Sequence, residues 1–181
     1  MAARVVLTYR DYEALPADGR RYELHDGELS VTAAPVPHHQ HVVLELAVVL
    51  REFVNRRRLG KIFVSPIDCI LSDTTIVEPD IVYLAADRLS AVSARGIEGS
   101  PTLAVEILSP STARVDRGVK LQLYARHRVP YYWIVDLDAR RVEAYVLAGE
   151  THQLAACAEG SETASLPPFL ELQLDLATLW A

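Results

Sequence analysis

Two apolar runs in this chain each have a carboxylate embedded in them. Asp80 sits in EPDIVYL and Glu106 in PTLAVEILSPS. Each run reads as a buried strand, where a charged group costs free energy unless something satisfies it. Two carboxylates on neighbouring strands also repel each other, so a cation or a proton must lie between them. A hard divalent cation, Mg²⁺ or Mn²⁺, meets that need: Mg²⁺ takes oxygen ligands and is commonly held by one or two carboxylates. Lys120 is the basic group that would complete such a site. Lys61 and Lys120 are the only lysines of the chain. Against an arginine-rich background a surviving lysine marks a place that the larger, planar guanidinium does not serve.

The patterning around these runs is of α/β type. Thr8 and Asp11 form a capping box for a short helix near the N-terminus. Asp26-Gly27, between RRYELH and ELSVTA, signals a hairpin. Residues 38–59 place Val42, Leu46, Val49, Leu50, Phe53 and Val54 in a helical stripe ending at Gly60. Arg56, Arg57 and Arg58 fall in its last turn and suit a helix C-terminus. Strands are expected at 61–65, 67–71, 76–84 and 102–108. A helix follows at 113–127, then strands at 129–136, 140–147 and 150–157, with a short helix near 175–179. The strand–helix–strand order at 102–136 is βαβ-like, and the flanking hairpins make the sheet mixed. Residues 1–181 are read as a single domain.

A net charge of -6 excludes a globally basic nucleic-acid binder and leaves room for a local basic face. No apolar run approaches the roughly 20 residues of a membrane span, and the first residues are too short and polar for a signal peptide. Cys69 and Cys157 lack metal-ligand spacing and read as small buried hydrophobes. The expected location is the cytoplasm.

Strand alternation puts Asp80, Val82 and Leu84 on one face, and Ala104, Glu106 and Leu108 on another. Helical spacing puts Arg117, Lys120 and Tyr124 together. The strings YRDYEALP, RYELHDGEL, HHQHVVLELAVVL, VEPDIVYLAADRL, PTLAVEILSPSTARVDRGVKLQLYARHRVPYYWIVD and RRVEAYVL extend over almost the whole chain. With them the sequence resembles the Uma-two family of putative restriction endonucleases, a branch of the PD-(D/E)XK nuclease superfamily.

The resemblance implies a restriction-endonuclease-like fold: a mixed sheet flanked by helices, with N-terminal and C-terminal hairpins. It implies Asp80, Glu106 and the Ile107 carbonyl as ligands of Mg²⁺ or Mn²⁺, and Lys120 as a relocated motif lysine. The usual lysine position holds Leu108. Glu23, Glu28 and His39 match recurring family positions, and Glu23 or Glu28 could serve a second metal. The implied activity is metal-dependent phosphodiester hydrolysis in nucleic acid, with DNA as the expected substrate and a homodimer as a plausible assembly. Arg114 and Arg117 are the expected phosphate contacts, supplemented by Arg126 and Arg128.

Plainer readings stand beside these. Asp80 and Glu106 could cap loops at strand ends. Glu23 and Glu28 would by default be exposed beside a turn, and His38, His39 and His41 would be solvent-facing at a helix start. Asp136 reads as a turn residue, and Tyr131, Tyr132 and Trp133 as core aromatics. Alternatives to the nuclease are a catalytically idle binding or assembly domain of the same fold, and a hydrolase of a small phosphorylated substrate.

Overall fold

The computed structural model describes residues 5–181. Alternating apolar and polar positions build two six-stranded sheets, and helices cover what those sheets leave open. The N-terminal hairpin forms as expected: β1 (Arg21–His25) pairs antiparallel with β2 (Glu28–Thr32). Its turn needs positive φ at both central residues, and Asp26 (52°) with Gly27 (78°) supplies it. Helix α1 (Tyr9–Glu13) starts at the Thr8–Asp11 capping box.

Helix α2 (Pro37–Arg57) buries Val42, Val43, Leu46, Leu50 and Val54 along one stripe. It stops before Gly60: Arg58 takes the left-handed cap conformation, with φ 56°. Gly60 instead opens β3 (Gly60–Val64), with φ 151°. Of the adjoining arginines, Arg57 pairs with Glu171 and lies 4.8 Å over the Phe53 ring, which gives this helix end a structural role.

The stretch expected as one strand at 76–84 is two. Strand β5 (Thr75–Val77) follows β4 (Cys69–Ser72) in the first sheet, and β6 (Ile81–Ala85) belongs to the second. The chain changes sheets over Glu78-Pro79-Asp80, because proline cannot donate to a ladder. The polar stretch 86–100 carries β7 (Val92–Ser93) and β8 (Gly96–Glu98). The first sheet runs β2-β1-β5-β4-β8-β7.

The second sheet contains β9 (Leu103–Ile107), β10 (Tyr131–Asp136), β11 (Arg141–Ala148) and β12 (Thr151–Glu159), in the order β12-β11-β10-β9-β6-β3. Strands β9 and β10 are parallel, joined by α3 at residues 113–126. Helix α3 is α-helical over Ala113–Val115, π-helical over Asp116–Lys120, and α-helical again over Leu121–Arg126.

Each face of this second sheet has its own core. On one, Ile81, Tyr83, Leu103, Val105 and Ile107 pack under α2 and the C-terminal hairpin of β13 (Thr163–Leu166) and β14 (Phe169–Asp175). Phe169 closes this core against Phe53, Tyr83 and Trp133 at ring distances of 5.7, 4.9 and 6.2 Å. On the other face, Val82, Leu84, Ala104, Leu108 and Ile134 pack with Tyr124 of α3 and Cys69 of the first sheet. The alternation read from the sequence therefore holds. Tyr132 and Trp133 are fully buried, as expected of core aromatics. Cys69 is buried but Cys157 is exposed, so the second cysteine is not a core residue.

Gly60 makes one position intolerant of a side chain. A Cβ there would lie 2.0 Å from the Leu84 carbonyl oxygen. Gly60→Ala is expected to cost about 2–4 kcal/mol, read as a lowered urea midpoint with an unchanged slope.

Candidate active site

The break at Pro79 places Asp80 where the two sheets part, and strand alternation turns Glu106 towards the same cleft. Both are nearly inaccessible, at 2% and 3% exposure, and so are Glu23 (3%), Asp116 (1%) and Lys120 (4%). All of these side chains line one cavity of about 180 Å³, together with Arg21, His39 and Ile107. An adjoining lobe shares Glu23, Asp116 and Lys120.

Lys120 holds the centre. Its Nζ lies 2.9 Å from Glu23 Oε1, 3.0 Å from Glu106 Oε1 and 3.5 Å from Asp116 Oδ1. Burial by itself lowers the pKa of this amine. The three carboxylates outweigh that and raise its pKa far above the ordinary lysine value. The winding of α3 makes the arrangement possible. Its π turn presents Asp116 and Lys120 inward, and Tyr124 follows one α turn later. Tyr124 donates its hydroxyl to Glu106 Oε1 at 2.8 Å.

Asp80 is held from other directions. Arg21 Nη1 donates to Oδ1 at 3.0 Å, and the Ile107 backbone N–H donates to Oδ2 at 2.8 Å. His39 Nε2 lies 3.2 Å from Oδ2 and donates to the Ile107 carbonyl at 2.9 Å. Arg21 also donates to the Glu78 carbonyl. Burial would raise the pKa of Asp80, but the His39 hydrogen bond, Arg21 and the Ile107 N–H overcome it and hold the carboxyl below its usual value.

Glu106 and Glu23 share Lys120 yet go opposite ways. Burial and the neighbouring Asp116, Asp80 and Glu23 push Glu106 well up despite Lys120. Glu23 is lowered despite burial. Besides Lys120 it accepts from the Glu78 N–H at 2.7 Å and from His25 Nε2 at 3.2 Å. When the two compete for one lysine, the better-solvated carboxylate keeps its charge, and protein donors solvate Glu23 better. Five buried carboxylates, Glu23, Glu78, Asp80, Glu106 and Asp116, thus surround two fixed cations, Arg21 and Lys120.

Several expectations need correction. His39 is 3% exposed and belongs to the cavity, not to solvent. Its helix presents it on the same stripe as Val42, Val43 and Leu46. Glu28 is exposed opposite His25 near the hairpin tip and does not line the cavity. Arg117, Lys120 and Tyr124 do not share a face. Arg117 turns to the sheet and pairs with Asp136 at 2.9 Å and Glu143 at 2.6 Å. Its guanidinium is thereby committed, and Lys120 points inward, so Arg114, Arg117 and Lys120 form no common phosphate-facing row. Arg114 is exposed. Arg126 pairs with Asp26, and Arg128 donates to the Gly149 carbonyl. Asp136 accepts from the Ala139 N–H at 3.0 Å, the turn role its position suggested.

The sequence reading missed Arg21, Asp116 and the hydroxyl of Tyr124 as site groups. Asp116 and Tyr124 lie four residues either side of Lys120, a helical spacing that would have singled them out. Nothing local marks Arg21, because its target is 59 residues away.

The sequence matches the Uma2 family, described as "Putative restriction endonuclease", over residues 9–178. The chain belongs to that family. All the cleft residues, from Arg21 to Tyr124, lie within the span matched by the Uma2 model. A crystal structure of a putative nuclease of DUF820 from Anabaena variabilis superposes with a TM-score of 0.78 at 22% identity, covering 96% of this chain and 97% of that one. At that identity the likeness speaks for the fold, which is restriction-endonuclease-like. No curated protein matches the chain.

The donor set of this Uma2 chain fits a hard divalent cation. Asp80, Glu106 and the Ile107 carbonyl are oxygen donors on adjoining backbone positions, in a cluster with more carboxylates than cations. Among the described residues, no three His, Cys, Asp or Glu side chains are already drawn to coordinating distance of one another. Glu106 is instead turned to Lys120 and Tyr124.

Lys120→Met should cost about 3–5 kcal/mol near pH 8, because it leaves buried carboxylates without their cation. Burial already raises Glu106 and Asp116 against the opposing pull of Lys120, so without the lysine the native state binds protons more readily. The deficit should shrink as pH falls towards 5, measured by denaturant titration at several pH values.

Proposed function

We propose that this chain is a divalent-metal-dependent phosphodiesterase that cleaves nucleic acid, with DNA as its substrate. The observation that carries the reading is the convergence of Asp80, Glu106, Ile107 and Lys120 on one cavity, in a chain of a nuclease-described family. Asp80, Glu106 and the Ile107 carbonyl would hold Mg²⁺ or Mn²⁺. When bound, such an ion polarises a phosphate oxygen and lowers the pKa of water.

The chain's own groups do the rest. Lys120, fixed by Glu23 and Glu106, presents a permanent positive charge where a phosphate's non-bridging oxygens would gather charge. Glu23 and Tyr124 are positioning residues, one for the lysine and the other for Glu106. Arg21 and the Ile107 N–H keep Asp80 ionised and oriented. His39 steadies both Asp80 and the Ile107 carbonyl. Leu108 at 7% exposure packs in the core, and Lys120 brings an amine to Glu106 from the helix instead. A cytoplasmic site of action suits the free cysteines Cys69 and Cys157. No helix among the described residues is long and apolar enough to cross a membrane.

Mg²⁺ or Mn²⁺ should bind and raise the melting temperature by mass action. Loss of any metal effect in calorimetry and melting curves of the wild-type chain would sink the metal site. Oligonucleotide cleavage should need the metal, stop with chelator, and fall by about 10²-fold or more in Asp80→Asn and Glu106→Gln.

Lys120→Ala should also abolish cleavage, and Lys120→Arg should restore little of it, since the guanidinium is larger and planar. Full activity in Lys120→Ala would remove the lysine from the mechanism. Metal binding without any cleavage would leave an idle domain of the same fold.

A further inference from the structure

The mouth of the cavity differs in chemistry from its floor. Two four-residue loops form the rim: AAPV at 33–36 and SPST at 109–112. Neither contains a charged residue. Val36 is 57% exposed, and Ala33, Ala34, Pro110 and Ser111 are exposed as well. Across both lobes of the cavity the lysine and arginine side chains among the described residues are Arg21 and Lys120, with His39 beside them. Both are already ion-paired, and their side chains are 19% and 5% exposed. Arg117, Arg126 and Arg128 are likewise engaged with groups of the chain itself. Among the described residues Arg114, exposed two residues beyond the second rim loop, is a single charge and not a row of free cations to hold the backbone of a long polyanion, and the chain carries a net charge of -6.

The second constraint is depth. The carboxylates and lysine of the floor are 1–4% exposed. In a duplex the phosphates line a stiff cylinder whose grooves are about 6 and 12 Å wide. A phosphate on that cylinder reaches a recessed floor only if the protein rim enters a groove or the duplex opens. Rims that bind duplex backbones do so with Lys and Arg, one released counterion for each neutralised phosphate. This rim offers alanine, proline, valine and hydroxyl groups instead. The lobe over Asp80 and Glu106, at about 180 Å³, is by itself smaller than the roughly 300–1,000 Å³ of pockets that engulf drug-sized ligands, and an adjoining lobe of about 230 Å³ opens beside it. It admits a phosphate and its immediate neighbours, while the rest of the substrate lies across the rim.

We infer that the substrate is a single strand or an unpaired end of nucleic acid, threaded across the loops at 33–36 and 109–112 with one phosphodiester dipping to Lys120. A lone strand bends at every nucleotide and can lower one phosphate into a recess. Its exposed base and sugar faces suit an apolar rim, and few phosphates need neutralising. One site suffices for one strand, so no second copy of the chain is required. The inference rests on the phosphodiesterase reading and narrows its substrate.

The test is a binding measurement that does not depend on turnover. A labelled single strand of about 12 nucleotides and the same strand annealed to its complement are titrated with wild-type protein in chelator, by anisotropy, at several salt concentrations. The single strand should bind at least about tenfold tighter. At about −0.7 per phosphate, the slope of log affinity against log salt should be shallow, near −2. Equal or tighter binding of the duplex overturns the inference, as does failure to bind either. Duplex preference together with metal-dependent cleavage would leave the phosphodiesterase standing and remove only the strand selectivity. Single-strand preference without cleavage would do the reverse.

Discussion

One ammonium group organises the interior of this chain. Lys120 comes from α3, Glu23 from β1 and Glu106 from β9, and their contact ties the helix to both sheets at 2.9 and 3.0 Å. A buried lysine and two buried carboxylates are each costly alone. Together they are mutually compensated, and the compensation is specific to this packing: shifting the helix by one residue would bury an unpaired charge. The π turn at Asp116–Lys120 is the local irregularity that reconciles a helix on the sheet with an amine directed into the cleft.

The carboxylates of the cluster outnumber its fixed cations, and burial with like-charged neighbours pushes Glu106 well up and raises Asp116 and Glu78 as well. Protein donors satisfy Asp80 and Glu23 as anions. Glu106 has only Lys120 and Tyr124 and is driven towards its neutral form. A fold organised purely for stability would replace such a cluster with packed hydrophobic groups, which commonly do as well or better. The retained acidity, next to a backbone carbonyl facing the same cavity, is what the proposed cation-assisted reaction would need.

Strand and helix patterning was legible because it is local. The period-two runs predicted both cores of the second sheet, and the Asp26-Gly27 pair fixed the first hairpin. The stripe from Val42 to Val54 marked α2. Pro79 falls inside the run expected as one strand at 76–84, and that the chain changes sheets there depends on which neighbours the two halves find. The αL cap at Arg58 in place of Gly60 was hidden for a similar reason: Gly60 is needed where a strand passes too close to Leu84 for any side chain.

The sequence by itself determined the chemistry available to the site: two carboxylates in apolar runs, a rare lysine on the following helix, and leucine where the family's parent motif carries lysine. A charged residue in an apolar run must be compensated somewhere, whatever the fold. Only the tertiary structure decided where that compensation lies. It turned Lys120 inward and Arg117 back to the sheet, brought Arg21 across 59 residues to Asp80, drew His39 from solvent to the Ile107 carbonyl, and left Glu28 outside. These are choices between partners of equal chemical merit, and electrostatic energy depends on distance and burial, which a sequence does not contain.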